Sequence, residues 1–223
     1  MHLKLLISAL GKYLTGLLVV GALVMLPAGS LEYWQGWLFM AVLFIPIFMV
    51  GVVMLVRSPE LLAKRLSAKE RVSEQSLVVK LSGLLFIAVF LLSGFNWRFG
   101  WLLLPDWAVW LSAGVFLVGY MLYAEVLREN AYLSRVIEVQ AGQKVVDTGL
   151  YGIVRHPMYT ATIILFLAMP LVLASPLSFA LMLLYIPLII KRIKNEEELL
   201  EQELEGYGDY MCRVRYRLIP YIY

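Results

Sequence analysis

The chain has 223 residues, 61% of them hydrophobic and only 16% charged, whereas soluble domains carry about 25% charged residues. That balance excludes an ordinary soluble fold, and the net charge of +3 calls for no nucleic acid, which would want a basic face on a soluble domain. With one cysteine, Cys212, and two histidines, His2 and His156, an intrachain disulfide and the usual zinc ligand sets are out of reach, so no metal is expected.

A membrane span needs about 20 predominantly apolar residues. Six stretches qualify or nearly so: 5–26, 34–56, 77–95, 107–127, 158–173 and 177–190. The expected fold is therefore an all-α integral membrane protein with about six transmembrane helices. The first stretch, with Lys4 and Lys12 ahead of an apolar run that closes on Pro27-Ala28-Gly29-Ser30, also fits a signal peptide. Its apolar run is long enough to cross a bilayer, and it is read as a span. The last two stretches are short and are separated only by Ala174-Ser175-Pro176, which predicts a tight helical hairpin whose second arm runs on through Lys191 into an acidic segment.

Residues 57–76 mix charge with Leu61, Leu62, Ala63, Leu66 and Ala68 near helical spacing, which suits an interfacial amphipathic helix. Lys and Arg are retained on the cytoplasmic side of a membrane. Of the 19 such residues, Arg98 alone falls on the opposite side when both termini, the 57–76 linker and the 128–157 stretch are placed inside. The expectation is a multi-pass protein with both termini and its polar clusters cytoplasmic, and with Trp34, Trp37, Trp97, Trp101 and Trp107 in the outer interfacial belt. We divide the chain into an N-terminal helical pair with its basic linker (1–76) and a core (77–223) made of a cap (128–157), a hairpin (158–205) and a tail.

The chemistry-bearing residues gather in that second part. The cap leaves the fourth span through Arg128, Glu129, Asn130, Tyr132, Ser134, Arg135 and Glu138. It turns at Ala141-Gly142-Gln143 and again at Asp147-Thr148-Gly149. Val136, Ile137, Val139, Val145 and Val146 favour extended structure beside the first turn. Arg155-His156-Pro157-Met158-Tyr159 follows, where polar chain enters an apolar helix. Pro157 is at ease in a first turn because its missing N–H would be an orphan there. Arg155 and His156 fit a snorkelling cation and a satisfied helix start, and they fit equally a site for an anionic group at a helix N-terminus.

The answering cluster is Arg192-Ile193-Lys194-Asn195-Glu196-Glu197. Arg192 and Glu196, spaced i, i+4, can pair along the helix. Glu196 and Glu197 differ by about 100° around it, so one can face inward while the other meets solvent. Glu198, Glu201, Glu203 and Glu205 read as a solvated face. In the basic, aromatic tail, Arg213 and Arg215 suit an interfacial anchor, and Arg217, before Leu218-Ile219-Pro220, is placed to fold back into a site. Ionisable groups held at a bilayer boundary are functional candidates by default.

Four motifs in order then carry a family resemblance: Gly149-Leu-Tyr-Gly-Ile-Val-Arg-His-Pro-Met-Tyr159, Arg192-Ile-x-x-Glu-Glu-x-x-Leu200, Gly206-Tyr-x-x-Tyr210 and Arg213-Val-x-x-Arg-Leu-Ile-Pro220. Over about residues 128–220 the chain resembles the isoprenylcysteine carboxyl methyltransferase family and its phospholipid methyltransferase relatives. The resemblance implies a membrane-embedded methyltransferase that uses S-adenosyl-L-methionine without a Rossmann domain, and no G-x-G-x-x-G loop is present. It implies a cofactor pocket lined by Tyr151, Arg155, His156, Pro157 and Tyr159, with Glu197 taking hydrogen bonds from the cofactor's amino group. Arg192 and Arg128 would orient the acceptor, and Arg217 and Tyr207 would complete the wall.

The implied acceptor is lipophilic, an isoprenylcysteine-like carboxylate first and an aminolipid second. The ending Tyr216-Arg-Leu-Ile-Pro-Tyr-Ile-Tyr223 also resembles sterol C14 and C7 reductases, whose related membrane fold uses NADPH. Those carry Arg-His-x-Asn-Tyr where this chain has Arg-His-Pro-Met-Tyr. A non-enzymatic membrane scaffold on the same fold is the remaining alternative.

Overall fold

A computed structural model describes residues 2–67, 73–130, 132–133, 139–140 and 142–223. Nine α-helices are formed among the described residues: α1 His2–Ala28, α2 Trp34–Arg57, α3 Pro59–Ser67, α4 Ser73–Phe99, α5 Asp106–Glu129, α6 Pro157–Val172, α7 Pro176–Met182, α8 Tyr185–Glu203 and α9 Tyr207–Arg213. A 3-10 turn, Gly149–Gly152, precedes α6. Five helical segments are long and apolar enough to cross a membrane: Lys4–Ala28, Trp34–Arg57, Leu77–Phe99, Asp106–Glu129 and Pro176–Glu203, the last joining α7 to α8. The sixth expected crossing is α6, apolar but only 16 residues long, or about 24 Å at 1.5 Å per residue.

Large apolar side chains stay exposed around the outside, among them Leu18, Ile45, Val56, Leu84, Leu111 and Met121. Such an apolar girdle is what lipid, rather than water, would cover. Inside, Val24, Phe39, Val89, Phe116, Leu173, Met182 and Ile193 are fully or nearly fully buried and form one core. The α5–α6 pair is its closest seam. A Cβ at Gly119 would lie 2.8 Å from Leu165 Cγ, so only glycine lets these two helices approach so far.

The hairpin forms as its sequence predicts, with two additions. The α6–α7 turn is buried: Tyr33 Oη donates to Leu173 O at 2.7 Å, Leu104 N to Ala174 O at 3.1 Å, and Ser93, Ser175 and Ser178 form a closed hydroxyl cluster. Those bonds satisfy polar groups that the apolar surroundings would otherwise leave stranded. The second arm is broken at Leu183–Leu184 before α8 resumes. Pro187 lies in the first turn of α8, where it cannot donate to the carbonyl of Leu183 and its ring would clash with it.

Within the linker expected to be helical, α3 forms, and Lys12 Nζ reaches the carbonyl of Leu66; Ala68 lies outside the described residues. No strand forms among the described residues of the cap. Ser134, Arg135, Val136, Ile137, Glu138 and Ala141, which figured in that part of the sequence reading, lie outside them.

Candidate functional site

At the polar end of the bundle, the C-terminus of α5, the N-terminus of α6 and the C-terminal half of α8 converge. Pro157 opens α6 and His156 occupies its N-cap position without a side-chain cap bond. The backbone N–H groups of Arg155 and His156 are taken by the tail: they donate to Tyr216 O and Arg217 O, both at 2.9 Å. Thr160 Oγ1 adds a bond to Leu218 O at 2.8 Å. The tail is thus strapped across the start of α6.

Glu197 is the centre of a buried ionic cluster. Its Oε1 accepts from Arg155 Nε at 2.7 Å and lies 3.1 Å from His156 Nε2, and its Oε2 accepts from Arg217 Nε at 2.7 Å. Arg155 Nη1 also donates to Val214 O and Arg215 O, each at 2.8 Å. The side chains of Arg155, His156 and Glu197 are 5–7% exposed. Charges as far from water as those of Arg155 and Glu197 persist only when paired and hydrogen-bonded, a condition these bonds satisfy.

A second chain of contacts lies one turn away. Arg192 Nε donates to Tyr159 Oη at 3.1 Å, and Tyr159 Oη donates to Glu196 Oε2 at 2.5 Å. The phenol of Tyr159, from α6, thus touches both members of the Arg192–Glu196 i, i+4 pair.

The 3-10 turn is fixed from α5. Glu129 accepts from Leu150 N through both carboxylate oxygens, at 2.9 and 3.2 Å, and Asn130 Nδ2 donates to Tyr151 Oη at 3.0 Å. Gly149 has φ +55°, and a Cβ there would lie 1.7 Å from Glu129 Oε1. Tyr210 Oη donates to Tyr151 O at 2.7 Å. Burial pushes the phenols of Tyr151, Tyr207 and Tyr210 above their ordinary range, so all three are neutral donors at neutral pH.

These elements line a small cavity that is open to solvent at its mouth. Asn130, Tyr132, Leu133 and residues 143–146 form one side, and Tyr151, Arg155, His156, Met158 and Tyr159 another. Arg192, Glu196 and Leu200 of α8 close it, with Leu204, Tyr207 and Tyr210 beyond.

Of the ten residues singled out from the sequence, Tyr151, Arg155, His156, Tyr159, Arg192 and Tyr207 border this cavity. Pro157 is buried in the first turn of α6. Glu197 and Arg217 are joined to the wall from behind, through Arg155 and His156, and the carboxylate that borders the cavity belongs to Glu196. Arg128 is not brought in. Its guanidinium forks onto Glu125 at 2.5 and 2.9 Å, one turn back on α5, and its side chain is 72% exposed. Asn130, Tyr132, Tyr210 and residues 143–146 were not singled out. Tyr210 had a signal, since it closes the Gly206-Tyr-x-x-Tyr motif; the others are placed by the fold of the cap.

Among the described residues, no group of three or more His, Cys, Asp and Glu side chains is arranged to hold a metal ion. The fold and site define a multi-pass membrane protein with a polar, partly enclosed cavity at one end of a helical bundle. A model of the isoprenylcysteine carboxyl methyltransferase (ICMT) family matches residues 110–202, about two fifths of the chain.

Two curated relatives are delta(14)-sterol reductases. The mouse protein TM7SF2 is 32% identical over 90 residues, covering 39% of this chain and 22% of the relative. The Arabidopsis thaliana protein is 26% identical over 127 residues, covering 52% and 34%. The chain thus matches only a fifth to a third of the length of these relatives. Among solved structures, a eukaryotic intramembrane Ras methyltransferase ICMT aligns over 85% of this chain and 74% of its own, with 20% identity and a TM-score of 0.49.

Proposed function

We propose that this protein is a membrane-embedded S-adenosylmethionine-dependent methyltransferase acting on a lipophilic acceptor, with carboxyl O-methylation of an isoprenylcysteine-like substrate as its reaction. The observation that carries this reading is a coincidence of position. All cavity-lining residues except Leu204, Tyr207 and Tyr210 fall inside the stretch that matches the ICMT family model, residues 110–202.

The donor set suits the cofactor. Tyr151, Tyr207 and Tyr210 offer aromatic faces and neutral hydroxyls to an adenosyl group. Arg155 offers charge to an amino-acid carboxylate, and Glu196 accepts from an ammonium group. Glu197 and Arg217 hold Arg155 and His156 in place from behind, and Pro157 starts the helix that carries them. S-adenosylmethionine would supply an electrophilic methyl on a sulfonium.

The protein's part is alignment and the exclusion of water. An α-carboxylate, with a pKa of about 3.3–3.7, is already a nucleophile at neutral pH and needs a guanidinium clamp more than a base. Arg192, on the cavity wall beside Tyr159, takes that role. Arg128, turned onto Glu125, takes none in this geometry. The acceptor's lipid tail would extend into the bilayer, and the positive-inside balance puts the site on the cytoplasmic face.

The test is methyl transfer from labelled cofactor by detergent-purified protein, across isoprenylated cysteines, aminolipids and small lipophilic acids. A base-labile methyl ester on the isoprenylated cysteine is expected. Label appearing only on an amine would replace O-methylation with N-methylation, and no transfer to any class would overturn the reading.

A second reading is favoured by the similarity to the two sterol reductases: an NADPH-dependent reductase of a lipophilic substrate. Against it stands Arg155-His156-Pro157-Met158-Tyr159, which has Met158 where the reductase pattern has asparagine.

A further inference from the structure

We propose that the turn at 218–223 is a membrane anchor whose tip, Ile219, Tyr221 and Ile222, inserts into the interfacial layer of the bilayer beside the start of α6. The inference holds whatever reaction the cavity supports.

The turn is closed on itself. Leu218 N and Ile219 N donate to Tyr223 O at 2.8 and 3.0 Å, and Ile222 N and Tyr223 N donate to Ile219 O at 3.2 and 3.1 Å. Pro220 has no N–H to satisfy. Amides bonded within the turn let it leave water at a far lower cost than an open loop. Both ends are held by the protein: Leu218 is buried in the core, Tyr223 packs against that core, and the Arg217 guanidinium lies over the Tyr223 ring at 5.3 Å. The tip is left outside, with Ile219 48%, Tyr221 87% and Ile222 77% exposed.

Thr160 sets the depth. Its hydroxyl donates to Leu218 O at 2.8 Å from one turn inside α6, so the tip is level with the entry of an apolar helix at the polar end of the bundle. Amphipathic rings anchor membrane proteins at that level, where one end is apolar and the other wet. Tyr221 supplies such a ring, Ile219 and Ile222 supply apolar surface, and Arg215, exposed beside the turn, suits a lipid phosphate. Arg213 is paired instead with Asp147 at 2.8 Å.

Tyr221 also carries backbone strain. Its φ of +66° is a conformation that glycine adopts freely and a side chain resists. Inside the protein its ring meets Tyr216 at 5.3 Å and otherwise stays exposed, so the gain that offsets the strain comes from outside the chain. The adjoining carbonyls of Tyr216, Arg217 and Leu218 bind Arg155 N, His156 N and Thr160 Oγ1. The anchor therefore ties the cavity wall to the membrane surface.

The experiment uses the full chain with Cys212, its one exposed thiol, replaced. A nitrobenzoxadiazole fluorophore is attached to I222C/C212S in vesicles of phosphatidylcholine and phosphatidylglycerol, some carrying nitroxide lipids labelled near the headgroup and others deep in the acyl chain. Blue-shifted emission, quenched more by the shallow nitroxide than by the deep one, is expected. Adding Y221G should shift the emission to the red and remove most of the quenching, although glycine relieves the strain, whereas Y221W should preserve both.

Water-like emission without quenching would overturn the proposal. So would stronger quenching by the deep nitroxide, which would place the turn in the hydrocarbon, or blue-shifted emission that no lipid quenches, which would mean that protein, such as a second copy of the chain, covers the tip. Unchanged depth in Y221G would show that Tyr221 anchors nothing. If I222C/C212S does not fold, the same fluorophore on I219C/C212S is read by the same outcomes.

Discussion

Glu197 shows how a residue's position can be legible while its partners are not. The acidic run after Arg192 and the change of helix face between Glu196 and Glu197 point to one inward carboxylate. They cannot show that three side chains of this protein, Arg155, His156 and Arg217, surround it, because the tail comes back to α6 only in the folded chain. Removing one member of a buried ion pair leaves the others uncompensated, at a cost of about 3–5 kcal/mol. Glu197→Gln should therefore lower the melting temperature markedly and weaken S-adenosylhomocysteine binding, whereas Glu201→Gln, on the solvated face, should stay within about 0.5 kcal/mol of wild type. Thermal unfolding and calorimetry on both variants check this, and equal losses would mean that the acidic run acts as one diffuse field. Arg192→Lys belongs to the same scale. Lysine keeps the charge but not the planar fork, so turnover should fall while S-adenosylhomocysteine affinity is retained, a split that kinetics and calorimetry on one preparation would resolve.

Among the elements, the apolar stretches were readable because a span must satisfy its own backbone in lipid and so needs a long unbroken run of apolar side chains. The break at Leu183–Leu184 had a local signal in Pro187, and the short α6 had one in Pro157 and the turn at 174–176. The cap is different. Its conformation depends on Glu129 and Asn130 reaching the 3-10 turn from α5, and contacts across 21 residues leave no periodic trace. Gly149 is the element's weak point, with φ +55° and no room for a Cβ beside Glu129. Strain of this kind costs about 1–3 kcal/mol, so Gly149→Ala should weaken S-adenosylhomocysteine binding roughly tenfold or more. The spans do not depend on this turn, and the variant should still purify as a folded membrane protein. Normal affinity in the variant would show that the turn does not shape the pocket.

For the whole molecule, charge distribution and architecture make one joint demand. If the polar end carries the site and Lys and Arg mark the cytoplasmic side, reporter fusions or cysteine labelling should find both termini cytoplasmic; an external C-terminus would put the cavity on the wrong face for a cytoplasmic cofactor. The central claim concerns that cofactor. The family-model match, the aromatic walls and the Arg155 guanidinium favour S-adenosylmethionine, while the sterol reductase relatives favour NADPH. Calorimetry of detergent-purified protein with S-adenosylhomocysteine and, separately, with NADPH decides between them most directly. The account predicts saturable binding of S-adenosylhomocysteine, weakened by Glu197→Gln, and none of NADPH. Saturable binding of NADPH with none of S-adenosylhomocysteine would contradict it.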